Sequence, residues 1–259
     1  MVYNFVNLGM NVFLKLFLLS FSSLLLIACK PEEPEVHTPS SDLLRITVQP
    51  TFGSETLFLD SIYQTPEGYD VKFKEIKFYM EDIRNGLNLL KDVALFDYRL
   101  RGDTLMQSPG DKDYYEDIQA NLGVGPTLNH NDPVGFNPMS WLYISNSNDM
   151  HWDWNPGYIF VKIEAKVDTI QDGISLFDHN VIFHVGKDEN LKSLSFDNIN
   201  WVNIGDEHVF SLKLDLLHFL DTGSSSIDLK IEHTSHTSTG QEVLSDKIMT
   251  NFKESLTLF

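Results

Sequence analysis

Cys29 is the only cysteine in the 259-residue chain, so no disulfide can staple the fold and no thiol pair can hold a metal. Basic side chains are scarce as well: 19 Lys and Arg stand against 37 Asp and Glu, a formal charge of −18. Binding to a phosphate backbone needs a basic face, so a nucleic-acid partner is excluded. The HExxH zinc helix, Cys or His pairs at zinc-finger spacing, the GxSxG elbow and a glycine-rich phosphate loop are also missing. A hydrolase or a nucleotide enzyme would lack its nucleophile or its cradle. The chain reads as a binding protein, not an enzyme.

One long apolar run is present, near the start. "MNVFLKLFLLSFSSLLLIACK" (residues 10–30) places Lys15 ahead of an apolar stretch that ends in Leu26-Ile27-Ala28-Cys29. A charged start, an apolar middle and a small residue at the cut describe a secretory signal. The sole cysteine directly after that small residue is the arrangement of a bacterial lipoprotein signal, in which the thiol is acylated and the chain is cut before it. An anchor helix competes with this reading, but residues 12–28 are at the short limit for a membrane span. The expected division is a signal peptide over residues 1–28, with lipidation at Cys29 and the membrane as partner through the lipid. Losing Lys15 with the signal takes the net charge to about −19.

"KPEEPEVHTPSSD" (residues 30–42) is rich in Pro, Glu and Ser and has no apolar period, so residues 29–42 read as an extended acidic tether. An acidic tract after a lipidated cysteine resembles the signal by which Bacteroidetes-type bacteria export lipoproteins to the surface. The expected location is the outer membrane, facing the periplasm or the cell exterior.

Residues 43–259 suffice for one well-buried domain, and no linker divides them. Period-two alternation marks its strands. In residues 158–167, Ile159, Val161, Ile163, Ala165 and Val167 share a face; in 209–216, Phe210, Leu212, Leu214 and Leu216 do; in 226–233, Ile227, Leu229 and Ile231 do. Residues 43–49, 117–124 and 180–186 are weaker strands. In 71–80 the phase slips from Val71 and Phe73 to Ile76, Phe78 and Met80, which predicts a β-bulge. At the C-terminus Val243, Leu244, Ile248, Phe252 and Leu256 form a helical stripe, and Thr239 with Glu242 spells a capping box. The expected fold is all-β, an antiparallel sandwich or barrel-like domain with a long ordered loop and a C-terminal helix.

That loop, residues 125–153, is dense in Asn, Pro, Gly, Ser and Asp and has no sustained period. Connections this long in compact domains are usually functional or disordered, and its aromatics argue for order. Beside it lie the candidate ligands. Imidazoles suit copper or zinc, which singles out His130, His151 and His184. A histidine on a strand face is more often a hydrogen-bonded packing residue, and His233 and His236 read equally as surface residues. The Asn/Asp oxygens are the donors calcium would take. Trp152 and Trp154, two apart, project to one face and either close the core or stack a ligand. His151 and Asp153 alternate with them on the other face.

Met150-x-Trp152-x-Trp154-x-x-Gly157-Tyr158 resembles the signature of MbnP-like proteins, copper-related periplasmic or surface domains. Weaker matches, at residues 52–83, 122–133, 183–196 and 244–259, extend the resemblance over most of residues 43–259. It implies a β-sandwich-like secreted domain. It also implies a copper site built on histidines, with His184 as a ligand, and a tryptophan, Trp152 or Trp154, oxidised by a di-haem peroxidase-type partner. A copper-linked outer-membrane receptor is a further partner it brings. Copper-binding relatives carry a first-strand histidine before a Phe-Gly pair; here Gln49 and Pro50 precede Phe52-Gly53, so His130 or His151 would have to take its place. Protease shaving of intact cells is expected to remove the domain; a domain left whole would overturn the surface location.

Overall fold

The computed structural model describes residues 42–152 and 157–259. Two curled sheets enclose one apolar core. The first holds β1 (Leu43–Phe52), β2 (Glu55–Thr56), β6 (Thr104–Pro109), β11 (Val202–Ile204), β12 (Glu207–Asp215) and β14 (Leu256–Leu258). The second holds β3 (Tyr63–Gln64), β4 (Asp70–Asn85), β5 (Asn88–Asp97), β7 (Ile118–Leu122), β8 (Ile159–Asp168), β9 (His179–Gly186), β10 (Lys192–Phe196) and β13 (Thr234–Ser235). Its main path runs β10-β7-β4-β8-β9-β13, with β5 also on β4. Most pairs are antiparallel; β1 with β12 and β13 with β9 run parallel. The all-β expectation holds.

Alternation places the core where the sequence put it. Val161, Ile163, Ala165 and Val167 of β8 and Phe210, Leu212 and Leu214 of β12 are buried on the inner faces. On β4 the register against β8 slips between Phe73 and Glu75, and this bulge brings Val71, Phe73, Ile76, Phe78 and Met80 all inward. Two sheets curled together still leave an open side, and the helix Glu242–Ser255 closes it by contacting β9 and β10 of one sheet and β12 and β14 of the other. Phe252 is its wedge, 5.3 Å from the ring of Phe78 and 6.1 Å from that of Phe219.

Three local expectations need correction. Residues 226–233 are not a strand. The Asp228 carboxylate accepts from Lys230 N–H at 2.9 Å and its carbonyl from Ile231 and Glu232 N–H, so the chain turns and Ile231 is left 74% exposed. The C-terminal helix begins at Glu242, not Thr239. Gln241 is its N-cap, and Glu242 reaches back to the Gly240 N–H at 2.8 Å. Its buried side is Ser245, Ile248, Met249, Asn251, Phe252 and Ser255; Val243 is exposed, and Leu256 packs from β14. The expected signal peptide (residues 1–28), Cys29 and nearly all of the tether lie outside the described residues, as does Trp154.

Candidate functional site

The outer face of the eight-stranded sheet carries charge that is not left in water. Lys77 of β4 and Lys162 of β8 stand opposite each other in register, and so do Glu75 and Glu164. Like charges face like charges across β4 and β8, so attraction between those two strands runs along each strand and over the diagonal. Glu75 bridges Lys77 at 3.3 Å and Lys162 at 3.1 Å. Glu164 bridges Lys162 at 3.3 Å and His184 Nε2 of β9 at 2.9 Å. On the far side Lys77 meets Asp97 of β5 at 3.6 Å. The result is one alternating row, Asp97–Lys77–Glu75–Lys162–Glu164–His184, across four neighbouring strands. Lys77, Lys162 and Asp97 are all under 10% exposed.

The long loop lies over Lys77 and Asp97. Tyr79 Oη donates to the Trp141 carbonyl at 3.0 Å, the Tyr158 hydroxyl donates to the Leu142 carbonyl, and Lys77 Nζ donates to the Asn148 carbonyl at 3.2 Å. Asn148 Nδ2 donates to Asp97, and Arg101 lies over the Trp141 ring at 4.4 Å. The asparagines that make the loop look irregular are its fastenings. Asn146 holds the carbonyls of Pro138 and Ser140, and Asn148 and Asp149 take left-handed backbone (φ +53° and +63°), a region their short side chains tolerate. From Gly125 to Trp152 the loop is ordered by these bonds.

The Met-Trp-Gly-Tyr motif joins the loop to the sheet. Met150 and Trp152 are buried, and His151 forms an isolated bridge with Tyr158, its ring 5.0 Å from the phenol. Gly157 has φ +118°, and a Cβ there would lie 2.9 Å from Asn129 Oδ1. The missing side chain lets Asn129 accept from the Tyr158 N–H at 2.8 Å. Gly186 does the same for the indole: a Cβ on it would meet Trp152 Cη2 at 2.6 Å and the Tyr158 carbonyl at 2.3 Å. Trp152 is therefore packed over the last residue of β9, on the outer face that also carries His184.

The three histidines chosen from the sequence go to separate partners. His130 Nε2 is 2.8 Å from Asp188 in an exposed pair, His151 lies against Tyr158, and His184 is held by Glu164. Among the described residues no three His, Cys, Asp or Glu side chains gather as a metal would need. The first-strand position, Pro50, is on β1 of the other sheet, apart from the outer face that bears His184. What the structure does bring to His184 is His236, which the sequence left among the surface residues. Their ring centres are 5.1 Å apart and nearly perpendicular. The parallel pairing of Thr234 with Ile182 and Ser235 with Phe183, continued by one residue, sets His236 beside His184.

This pair fits a metal in its donor chemistry. A metal-bound imidazole commonly gives its second nitrogen to a carboxylate, and Glu164 takes that role for His184, leaving Nδ1 for a ligand bond. With metal–nitrogen bonds of about 2.0 Å, two imidazoles at a tetrahedral angle have centres about 5 Å apart. Two packed neutral rings have the same spacing, so the distance permits a metal without requiring one. Burial holds the His236 pKa below the ordinary histidine value, and the charge of His184 adds to that, which keeps the ring a neutral donor. The hydrogen bond from His184 brings the Glu164 carboxyl down to about 2 against burial, with Lys162 assisting. Burial alone would lower Lys162, but its bonds and charges from Glu75 and Glu164 outweigh that and raise it.

The MbnP family model matches residues 41–240. Among solved structures, MbnP from Methylosinus trichosporium aligns with a TM-score of 0.50 at 16% identity, over 75% of this chain and 81% of that one, a likeness of fold. No curated protein sequence matches.

Two outcomes follow from these contacts. Gly186→Ala drives a methyl into the Tyr158 backbone and the Trp152 ring, and overpacking of this kind costs about 1–3 kcal/mol or more. Urea unfolding is expected to lose that much, with a change in tryptophan emission; an unchanged midpoint would contradict the packing. Glu164 is lowered on folding from 4.5 to about 2, so its contribution is whole above about pH 4.5 and is lost as pH falls towards 2. Stability measured over that window should decline more gently in Glu164→Gln than in the parent. The residual slope belongs to groups such as Asp178, lowered to about 2 chiefly by the Thr169 backbone N–H.

Proposed function

The chain belongs to the MbnP family, and on that premise we propose that it is a non-catalytic, extracytoplasmic binding protein, lipid-anchored at Cys29, that holds copper at His184 and His236. The observation that carries the reading is the carboxylate–imidazole–imidazole arrangement of Glu164, His184 and His236 on a face already roofed by the family's tryptophan loop. Imidazole is a good copper donor, and without thiols in the domain it is the softest ligand the domain has besides methionine. Two protein nitrogens leave further positions to water or to a copper-bearing ligand.

Each residue has a separate task in this reading. Glu164 orients His184, Lys162 keeps Glu164 ionised, and burial keeps His236 unprotonated. Copper, when bound, supplies a charge and a redox centre at the edge of the roofed face. Trp152, fixed on Gly186 one same-face step (about 7 Å) along β9 from His184, is the indole placed to be altered by an oxidising partner of the di-haem peroxidase type. His130, tied to Asp188, and His151, against Tyr158, are fastenings of the loop in this assignment.

A second reading, a loop that receives a partner protein without metal, is favoured by the exposure of Val134, Met139 and Ile144 on the loop surface. Copper titration of the full chain separates the two. We expect one copper per chain retained through desalting, with His184→Ala and His236→Ala each lowering affinity by at least tenfold and His130→Ala leaving it unchanged. Copper bound equally by all four proteins, or by none, would remove the assignment and leave the partner-binding reading.

A further inference from the structure

A carboxylate beside two imidazoles occurs a second time, at the other end of β9 and on the opposite face. Asp178 Oδ2 lies 2.9 Å from His179 Nδ1, and the ring of His179 is 5.1 Å from that of His233, tilted by 59°. Both pairs come from one register. β13 runs parallel to β9 with Thr234 beside Ile182, so His233 falls beside Val181, one same-face step from His179, while His236 falls beside His184. Residues 233 and 236 are three apart and 179 and 184 five apart. Both separations are odd, which sends the two pairs to opposite faces of the sheet.

Three observations distinguish this pair from two rings in contact. His179 Nδ1 and His233 Nδ1 are both buried polar atoms that make no hydrogen bond among the described residues. An orphaned nitrogen of this kind needs an explanation, and a metal ion or a bound water are the usual ones. His233 is also held in place: its carbonyl accepts the Ile182 N–H at 2.8 Å, so the ring is anchored by the β9 seam. Asp178 is fixed before any ligand arrives, accepting from the Thr169 N–H at 2.9 Å and the Thr169 hydroxyl at 3.0 Å. The carboxylate pinned in this way stands 2.9 Å from His179 Nδ1 as an ion-pair contact without hydrogen-bond geometry, and its charge favours a cation beside the two rings. The side chain of His179 is 34% exposed, so an ion and its waters can reach it.

We propose that His179 and His233, with the Asp178 carboxylate beside them, form a second metal site for one borderline divalent ion of the Zn2+ class. The ion takes one nitrogen from each ring and completes its shell with water. Two protein ligands make it an exchangeable site, in contrast to the four-ligand cages of structural zinc. The acidity of the chain assists by raising the local concentration of cations.

Zinc is the probe, because it has no redox chemistry to confuse the readout. The full chain, stripped of metal, is titrated with Zn2+ by calorimetry, and imidazole signals are followed by nitrogen-15 NMR. The expected result is perturbation of His179 and His233 as a pair, with loss of that event in His179→Ala and in His233→Gln. Asp178→Asn should keep both ligands and weaken the event by removing the charge beside them. His184→Ala should leave it intact, which separates this site from the copper reading. Should His179→Ala and His233→Gln bind zinc with parent stoichiometry and affinity, the second site is disproved while the first is untouched. Circular dichroism confirms that each variant is folded, and Asp178→Asn provides a measurement that does not remove a ring.

Discussion

Charge buried on the wrong face of a sheet is the constraint from which the rest of this structure follows. A lysine taken out of water without a partner loses several kcal/mol of hydration, and removing one partner of a buried pair is similarly costly. Lys77 and Lys162 escape that penalty only because Glu75, Glu164 and Asp97 interleave with them, and because the loop offers the Asn148 carbonyl as a further acceptor. The loop in turn is held by the sheet, through Tyr79 and Tyr158. Row and roof are one unit. The network supplies a fixed geometry for His184 more than it supplies net stability, since buried ion pairs return little beyond the hydration they forfeit.

The same coupling explains why the motif glycines are glycines. Gly157 and Gly186 stand where the two ends of the roof touch the sheet, and each yields its side-chain volume to a partner, Asn129 at the first and Trp152 at the second. Trp152 thereby spans a gap of more than thirty residues and locks the loop's exit to the end of β9. Trp152 is 5% exposed, which leaves no open face of its indole for a stacked ligand. Of the loop histidines, His130 pairs with Asp188 beyond β9 and the His151 ring lies against Tyr158.

Much of the scaffold was legible because alternation reports which way a side chain points. The inner faces of β8 and β12 and the bulge in β4 followed from apolar phase alone. Alternation does not report what covers the other face. Lys77 and Asp97 stand on that other face, and both are buried where the upstream loop, which has no period of its own, bonds them through Asn148. At residues 226–233 the apolar phase was real and the strand was not, because Asp228 bonds the backbone locally and turns it. Strand β5 was missed although Asn85-Gly86 marks its hairpin; Gly86 has φ +56° in the two-residue connection to Asn88. The capping box failed because Gln241 gave its side chain to the His236 and Ser238 N–H groups and became the cap itself.

The histidine pairs were the least legible feature, for a reason that has consequences. Each depends on two residues, Thr234 and Ser235, lying parallel to β9, and no local pattern announces a parallel partner fifty residues away. A strand this short is weakly held by its own backbone bonds, so its register rests on neighbours: Ser235 bonds Ser245 of the C-terminal helix at 2.9 Å, and Thr237 accepts the Gly186 N–H at 3.1 Å. The helix that seals the core thus also aligns His233 and His236 with their partners. An ion bridging either pair would tie β13 to β9 and strengthen a seam that only two paired residues secure. Binding and closure of the fold are then linked, because an ion that prefers the closed register also favours the helix that maintains it.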